Sequence, residues 1–251
     1  AVVVQQMPDG SALFKAENIP ATGYKTYSFA GKPHPAAAPA SGTLESKFYR
    51  ITVDPVTGSL TSLFDKTLGV ELAETNAPHA FNEYLYEYRT GNNSAWSRME
   101  KADSVAVVRG PVADVLTVTG KAKGVKSLKQ TVLLYHDLPR VDFTLEMDKL
   151  PFTGNWPTRN HEAIFVALPL AIPDFTIRHE LPGCVAEPYR QQIEGSATCH
   201  FTIRSFTDLS NDKYGVTVAP VEGSLVCYGE PTSAPMLGAA WHLFKRDRTY
   251  P

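Results

Sequence analysis

The sequence predicts an all-β protein built as a large antiparallel β-sandwich, and three observations carry that reading. Val141, Phe143, Leu145 and Met147 alternate with Asp142, Thr144, Glu146 and Asp148. Such a period of two gives a strand one buried and one wet face. Turn residues recur at short intervals, as in Asp54-Pro55-Val56-Thr57-Gly58 and His136-Asp137-Leu138-Pro139. Pro fixes φ and Gly accepts φ > 0, so these clusters reverse the chain. No segment keeps helical periodicity over three turns. With 251 residues, 43% hydrophobic and 20% charged, the chain is large enough to enclose a substantial core.

Taken in order, Val2-Val3-Val4 reads as a strand, Met7-Pro8-Asp9-Gly10 as a turn and Ala12 to Ala16 as a strand. Residues 31–42 form a Pro/Ala-rich linker, in which three prolines block helix and sheet pairing. His34 lies in it as a solvated loop residue. Leu44 to Leu72 reads as strand, turn, strand, turn, strand. Leu44 to Val53 is the first strand, Ser59 to Phe64 the second, and Asp65-Lys66-Thr67-Leu68-Gly69 the second turn. Tyr84, Tyr86 and Tyr88 share one face of a strand, as core packing or as a stacking platform. Val105 with Val107, Leu116 with Val118, and Val125 to Tyr135 continue the β pattern. Ala163 to Leu170 is a continuous apolar run, expected to be a strand buried on both faces. Phe201 with Ile203, Val216 to Ala219 and Leu225 to Tyr228 complete the series. Close spacing of so many short strands argues for antiparallel pairing.

Net charge is -2 with no Lys/Arg cluster, so neither nucleic acid nor an anionic membrane is expected as a partner. No apolar run approaches the ~20 residues of a membrane helix. No signal peptide is read at the start, because the apolar run is short and no basic stretch precedes it. Cys184, Cys199 and Cys227 are odd in number and lack CxxC spacing. They read as buried or partly buried free thiols in a reducing compartment, which predicts a cytoplasmic location. The Asn92-Asn93-Ser94 sequon would matter only in a secreted protein.

The Leu44–Leu72 run also resembles the opening of the large C-terminal β-domain of family 38 glycoside hydrolases, the α-mannosidases. The matching positions are Leu44, Glu45, Phe48, Tyr49, Val53, Asp54, Thr57, Gly58, Ser62, Asp65, Lys66, Gly69, Glu71 and Leu72. They fall in one long run without gaps. Ile19-Pro20-Ala21-Thr22-Gly23-Tyr24 resembles the phrase that ends the family's small linking β-sandwich. The resemblance implies a galactose-mutarotase-like supersandwich over 43–251, cut short at its C-terminus, preceded by the tail of a small β-sandwich over 1–30. It also implies that a catalytic domain precedes this region, so the chain is expected to be a fragment. An unpaired sheet edge would then be open to another chain, leaving room for an oligomer.

Family 38 enzymes use an Asp nucleophile and a zinc ion held partly by a His-x-Asp pair. None of the seven histidines here is followed two residues later by Asp, and no zinc-ligand spacing occurs. The resemblance thus assigns no catalytic residue and no metal ligand to this chain. Zinc is expected in the catalytic domain of the parent enzyme, and the chain alone is expected to be inactive.

Two loops are candidates for sugar contact. Trp156, Arg159, Asn160, His161 and Glu162 combine an aromatic face with hydrogen-bonding neighbours just before a strand. Pyranose rings stack on Trp while their hydroxyls need donors and acceptors. The plain alternative is that Trp156 covers core and His161 and Glu162 bond a sheet edge. Gln191 and Gln192 lie in a segment resembling a "P-x-x-(D/N)-Q-(L/I)-x-G" phrase of bacterial family 38-like proteins, with Gln191 departing from the pattern. They would read sugar hydroxyls or pin their own loop.

The expected function is the non-catalytic C-terminal β-region of an α-mannosidase-like glycoside hydrolase. It supports the catalytic domain of the same chain and, through the parent enzyme, an α-mannoside-like carbohydrate. A stand-alone carbohydrate-binding module is one alternative. An aldose-epimerase-like enzyme is another, with His161 or His179 as acid and Glu162, Glu180 or Glu187 as base. Adjacent His161 and Glu162 would point to opposite faces of a strand, which weakens that pair.

Overall fold

A computed structural model describes residues 2–28, 39–40, 42–90, 93–151, 160–193, 196, 200–223 and 225–229. Among them there is no helix, and the strands are arranged in antiparallel sheets. The protein is all-β, as predicted. The chain divides into two compact units, one formed by 1–75, 80–83 and 98–151, the other by 76–79, 84–97 and 152–251.

In the first unit, β1 (Val4–Gln6) and β2 (Ala12–Phe14) form a hairpin. Asp9 Oδ1 closes its turn by accepting from Ser11 N at 2.9 Å and Ser11 Oγ at 2.6 Å. Gln5 is fully buried and docks this hairpin. Its Oε1 accepts from Val112 N and Ala113 N at 2.9 Å each, and its Nε2 donates to Ala113 O at 3.0 Å. A side-chain amide here takes the place of a neighbouring strand, satisfying backbone groups that burial would otherwise strand.

After β3 (Pro39–Ala40), a four-stranded meander follows: β4 (Thr43–Glu45), β5 (Tyr49–Val53), β6 (Leu60–Asp65) and β7 (Val70–Glu71). The single strand expected over Leu44 to Val53 is two strands. Ser46 Oγ accepts from Phe48 N at 3.1 Å and Tyr49 N at 3.0 Å, and Glu45 pairs with Arg50. A serine side chain that bonds nearby backbone competes with the ladder and turns the chain. The two predicted turns are present. Asp54 Oδ1 accepts from Val56 N and Thr57 N, and Asp65 Oδ1 accepts from Thr67 N and Leu68 N. Gly58 at φ +75° and Gly69 at φ +71° end them.

Next come β8 (Glu83–Thr90) and β9 (Asn93–Arg98), then β10 (Ala102–Arg109), β11 (Ala113–Gly120), β12 (Val125–Tyr135) and β13 (Val141–Lys149). Strands β13-β12-β11-β10-β3 form a five-stranded sheet. Its β10 and β11 approach β4 of the meander, and aliphatic side chains fill the interior: Leu44, Ile51, Leu60, Leu116, Val118, Val132 and Leu134 are all buried. The alternation in β13 is present, but its apolar side is only half-buried, because β13 pairs on one side alone among the described residues. Phe143 still packs on Phe81, with ring centroids 5.8 Å apart.

In the second unit, β14 (Asn160–Ala167), β8 and β9 form a sheet in the order β14-β8-β9. The expectation that Ala163 to Leu170 is buried on both faces does not hold. The strand ends at Ala167, lies at an edge of its sheet among the described residues, and leaves Val166 37% exposed. An apolar run records composition but not whether a neighbour strand lies on each side. β15 (Thr176–Leu181), β16 (Cys184–Ala186), β17 (Phe201–Thr202), β18 (Thr207–Ser210), β19 (Gly215–Val218) and β20 (Leu225–Val226) complete the unit. They form a β16-β15-β18-β19 sheet and a β17-β20 pair. Of the predicted buried thiols, Cys184 is exposed at the start of β16, Cys227 is half-buried, and Cys199 lies outside the described residues. Cys184 follows the Leu181-Pro182-Gly183 turn, and a hairpin tip has no second layer to cover it.

Candidate functional site

Strand β8 positions the first group of polar side chains. Tyr84, Tyr86 and Tyr88 alternate onto one face, and the first two are buried. Glu162, from the neighbouring β14, accepts a hydrogen bond from the Tyr86 hydroxyl. Burial first, and then the Glu162 carboxylate, push the Tyr84 phenol up to about 12. Burial and the bond to Glu162 push Tyr86 higher still. Both phenols therefore stay protonated at neutral pH, and Tyr86 donates to the carboxylate. The tyrosines are core, and the predicted site residue Glu162 is tied into that core.

Gln191 and Gln192 sit in the turn that follows β16. Gln191 Oε1 accepts from Glu187 N at 2.8 Å, while Gln191 N donates to Glu187 O at 3.0 Å. Gln192 Oε1 accepts from Tyr189 N at 2.8 Å, and Gln192 Nε2 donates to Ser196 Oγ at 3.4 Å. Tyr189 has φ +70°, a left-handed conformation unusual for a side chain of this size. Two glutamine oxygens on two backbone amides hold that turn in place. Beside it, the Glu187 carboxylate lies 3.3 Å from Arg190 and 3.7 Å from Arg178. With its oxygen committed, exposed Gln191 keeps its amide N–H as its donor group.

Trp156 and Arg159 lie outside the described residues. Asn160 and His161 open β14 directly before Glu162, and only their backbone is described. Glu162 and the glutamines are thus carried by different elements, β14 and the turn after β16.

One polar cluster was not singled out in the sequence. His179 on β15 is 2% exposed, and its Nδ1 lies 3.0 Å from the Tyr228 hydroxyl. That hydroxyl is also 2.7 Å from Thr207 Oγ1, which lies 3.3 Å from Arg178 O. Phe201 packs against both rings, at 5.5 Å from His179 and 5.2 Å from Tyr228. Burial pushes His179 below the ordinary histidine range and Tyr228 up to about 12. An enclosed neutral imidazole cannot present a proton to a substrate, so His179 drops out as an epimerase-type acid. Ile177, His179 and Leu181 alternate with Arg178 and Glu180, and that pattern was the sequence signal for a buried histidine.

Among the described residues, no three His, Cys, Asp or Glu side chains gather closely enough to hold a metal ion. No curated protein sequence and no solved structure matches the chain. A family model does: that of the glycosyl hydrolases family 38 C-terminal domain matches residues 44–222. The match begins at the Leu44 meander and runs through both units. The chain belongs to the family of glycosyl hydrolase family 38 C-terminal domains.

Proposed function

We propose that this chain is the non-catalytic C-terminal β-region of an α-mannosidase-like glycoside hydrolase. It braces a catalytic domain of the same polypeptide and lends polar side chains to the sugar site. The observation that carries this reading is the family match over 44–222. Glu162, Gln191 and Gln192 are the contributors described here, with Trp156, Arg159, Asn160 and His161 as their sequence neighbours. Their geometry suits support. Glu162 accepts from the Tyr86 phenol and each glutamine oxygen accepts from a backbone amide, so these side chains are held in place, and the Gln191 amide N–H is the donor this reading assigns to a sugar hydroxyl.

Hydrolysis itself needs two carboxyl groups, or a carboxylate with a metal, set across a glycosidic bond. In this reading the zinc ion and the nucleophile belong to the catalytic domain. The described residues of this chain do not offer a three-ligand set for zinc, and no step is routed through them. The exposed thiol of Cys184 favours a reducing compartment, and the cytoplasm is the location this reading assigns.

The test is hydrolysis of a chromogenic α-mannoside in the presence of zinc. Activity is compared between this chain alone and a longer polypeptide carrying a catalytic domain. The chain alone is expected to be inactive and the longer one active. Turnover by the chain alone would overturn the assignment.

A further inference from the structure

We propose that the N-terminal hairpin is a releasable strap. A backbone socket at the β10–β11 turn takes the carboxamide of Gln5, and the strap opens there as a unit while the five-stranded sheet stays folded. Nothing in this device depends on the catalytic-support reading. Across residues 2–28 Gln5 alone is buried, and it is polar. β1 and β2 ladder only with each other among the described residues. Val2, Val3, Ile19 and Tyr24 stay exposed, so the segment encloses no apolar core of its own. Several of its ties are internal. Lys25 Nζ and the Tyr27 hydroxyl both donate to Glu17 O, at 2.9 and 3.2 Å, and Phe14 packs on Tyr27 with ring centroids 5.2 Å apart. A two-stranded hairpin is marginal in water by itself. A region with few buried apolar contacts opens more readily than the core beside it.

The socket has a fixed pattern. Val112 N and Ala113 N donate to Gln5 Oε1, and Ala113 O accepts from Gln5 Nε2. Two donors beside one acceptor match a carboxamide, which carries an accepting oxygen and a donating nitrogen on one carbon. A carboxylate of the same shape has no hydrogen to give Ala113 O, and it would bring an unpaired charge into a buried place. Gly110 forms the facing wall. A Cβ there would lie 2.0 Å from Gln5 Cδ and 2.2 Å from both Nε2 and Oε1, so only glycine leaves room for the side chain. The turn itself is held by the sheet. His136 N donates to Val112 O at 3.0 Å, Asp114 Oδ1 lies 3.0 Å from His136 Nε2, and Asp114 Oδ2 accepts from Glu45 N at 3.1 Å. None of those bonds involves the strap, so the socket keeps its form when Gln5 leaves. In a longer polypeptide, residues ahead of β1 would be tethered through this strap, and that consequence alone rests on the catalytic-support reading.

The test is amide hydrogen exchange of the whole chain, followed residue by residue by NMR. In the wild type, the Val112 and Ala113 amides that Gln5 covers should exchange about tenfold faster or more than those of Leu116 and Val132 at the centre of the sheet. Gln5→Glu keeps the shape and removes the donor. It should speed exchange at Val112 and Ala113 by about tenfold or more, and at Met7, whose amide bonds Ser11 O within the hairpin, by a similar factor. Leu116 and Val132 should be unchanged. Gly110→Ala leaves Gln5 intact, crowds the socket, and should give the same pattern. The wild-type comparison needs no variant: if Val112 and Ala113 exchange as slowly as Leu116 and Val132, the strap has no opening of its own and the proposal is overturned. Unchanged exchange in Gln5→Glu overturns it as well. So does a variant that speeds β11 and β12 throughout or fails to fold, since the seat would then be holding the sheet itself. Hydrolysis decides the catalytic-support reading separately.

Discussion

The two units solve the same problem, a closed interior between antiparallel strands, with different materials. In the first, the buried side chains are mostly aliphatic, and carboxylates serve the backbone at the margins. Asp54 and Asp65 cap turns, and Glu71 accepts from Leu63 N and Ala73 N. In the second, the interior holds Tyr84, Tyr86 with its bond to Glu162, and a hydrogen-bonded chain of His179, Tyr228 and Thr207. An aliphatic core gains stability from area and packing and is indifferent to pH. A polar core depends on every member finding its partner, and titration can break it. The first unit rests mainly on its aliphatic interior, whereas the second closes a short polar chain around the buried His179.

The sharpest test of the first half of that contrast is Leu116→Ala. Leu116 is fully buried on β11, and truncation should cost about 2–5 kcal/mol, seen as a lower urea midpoint. The loss should be equal at pH 7.5 and pH 5.5.

Two glycines then separate strain from packing within the same meander. Gly58 and Gly69 have nearly the same positive φ, but a Cβ on Gly58 would sit 2.4 Å from a Val118 methyl. One on Gly69 meets nothing within 4 Å. Gly69→Ala should cost about 1 kcal/mol from φ strain alone. Gly58→Ala should cost roughly 1–3 kcal/mol more, because β11 must shift to admit the methyl. Equal costs would mean that the meander is not seated on β11 as described.

The contrast also explains what could be read in advance. The Leu44–Leu72 meander was legible because its rules are local: Asp54 and Asp65 with Gly58 and Gly69 specify turns within a few residues. Even there, Ser46 split the first strand, because nothing in an aromatic and β-branched run reveals that a hydroxyl will take two backbone amides. The second unit resisted for a different reason. Whether Ala163 to Phe165 are enclosed depends on strand order, which period-two patterning does not encode. His179 looked like a loose functional candidate until Tyr228, 49 residues away, supplied its partner. The glutamine turn was found by pattern, but its role depends on where two side-chain oxygens point.

Tyr228→Phe probes the polar core. It removes the hydroxyl shared by His179 and Thr207 and should cost about 1–3 kcal/mol, since buried partners lose their bond. The pH response is separable from it. His179 has a folded pKa below its ordinary 6.5, and burial is the sole cause. The charged neighbours Arg178 and Glu180 alternate to the other face of β15, away from the ring. The unfolded chain then binds the proton more readily than the fold. This contribution to stability is fully present above about pH 6.5 and is lost as pH falls from there through the lowered folded value. Melting temperatures between pH 7.5 and 5 should show that decline, and His179→Phe should flatten it. An unchanged slope in that variant would mean that another group carries the pH dependence of the second unit.

The smallest effect expected is also the one that divides structure from recognition at the glutamine turn. Gln192→Ala removes the acceptor for Tyr189 N and should cost about 0.5–1.5 kcal/mol, because the turn lies near the surface where water replaces part of the bond. Gln191→Ala removes the acceptor for the exposed Glu187 N and should cost less. If the turn only pins itself, activity in a polypeptide that carries the catalytic domain should follow those stabilities, with Gln192→Ala the worse of the two. If the turn reads substrate, the order reverses, because Gln191 is the more exposed and its amide N–H remains open to a hydroxyl. Its loss should then raise KM for an α-mannoside with kcat little changed, the signature of lost ground-state binding.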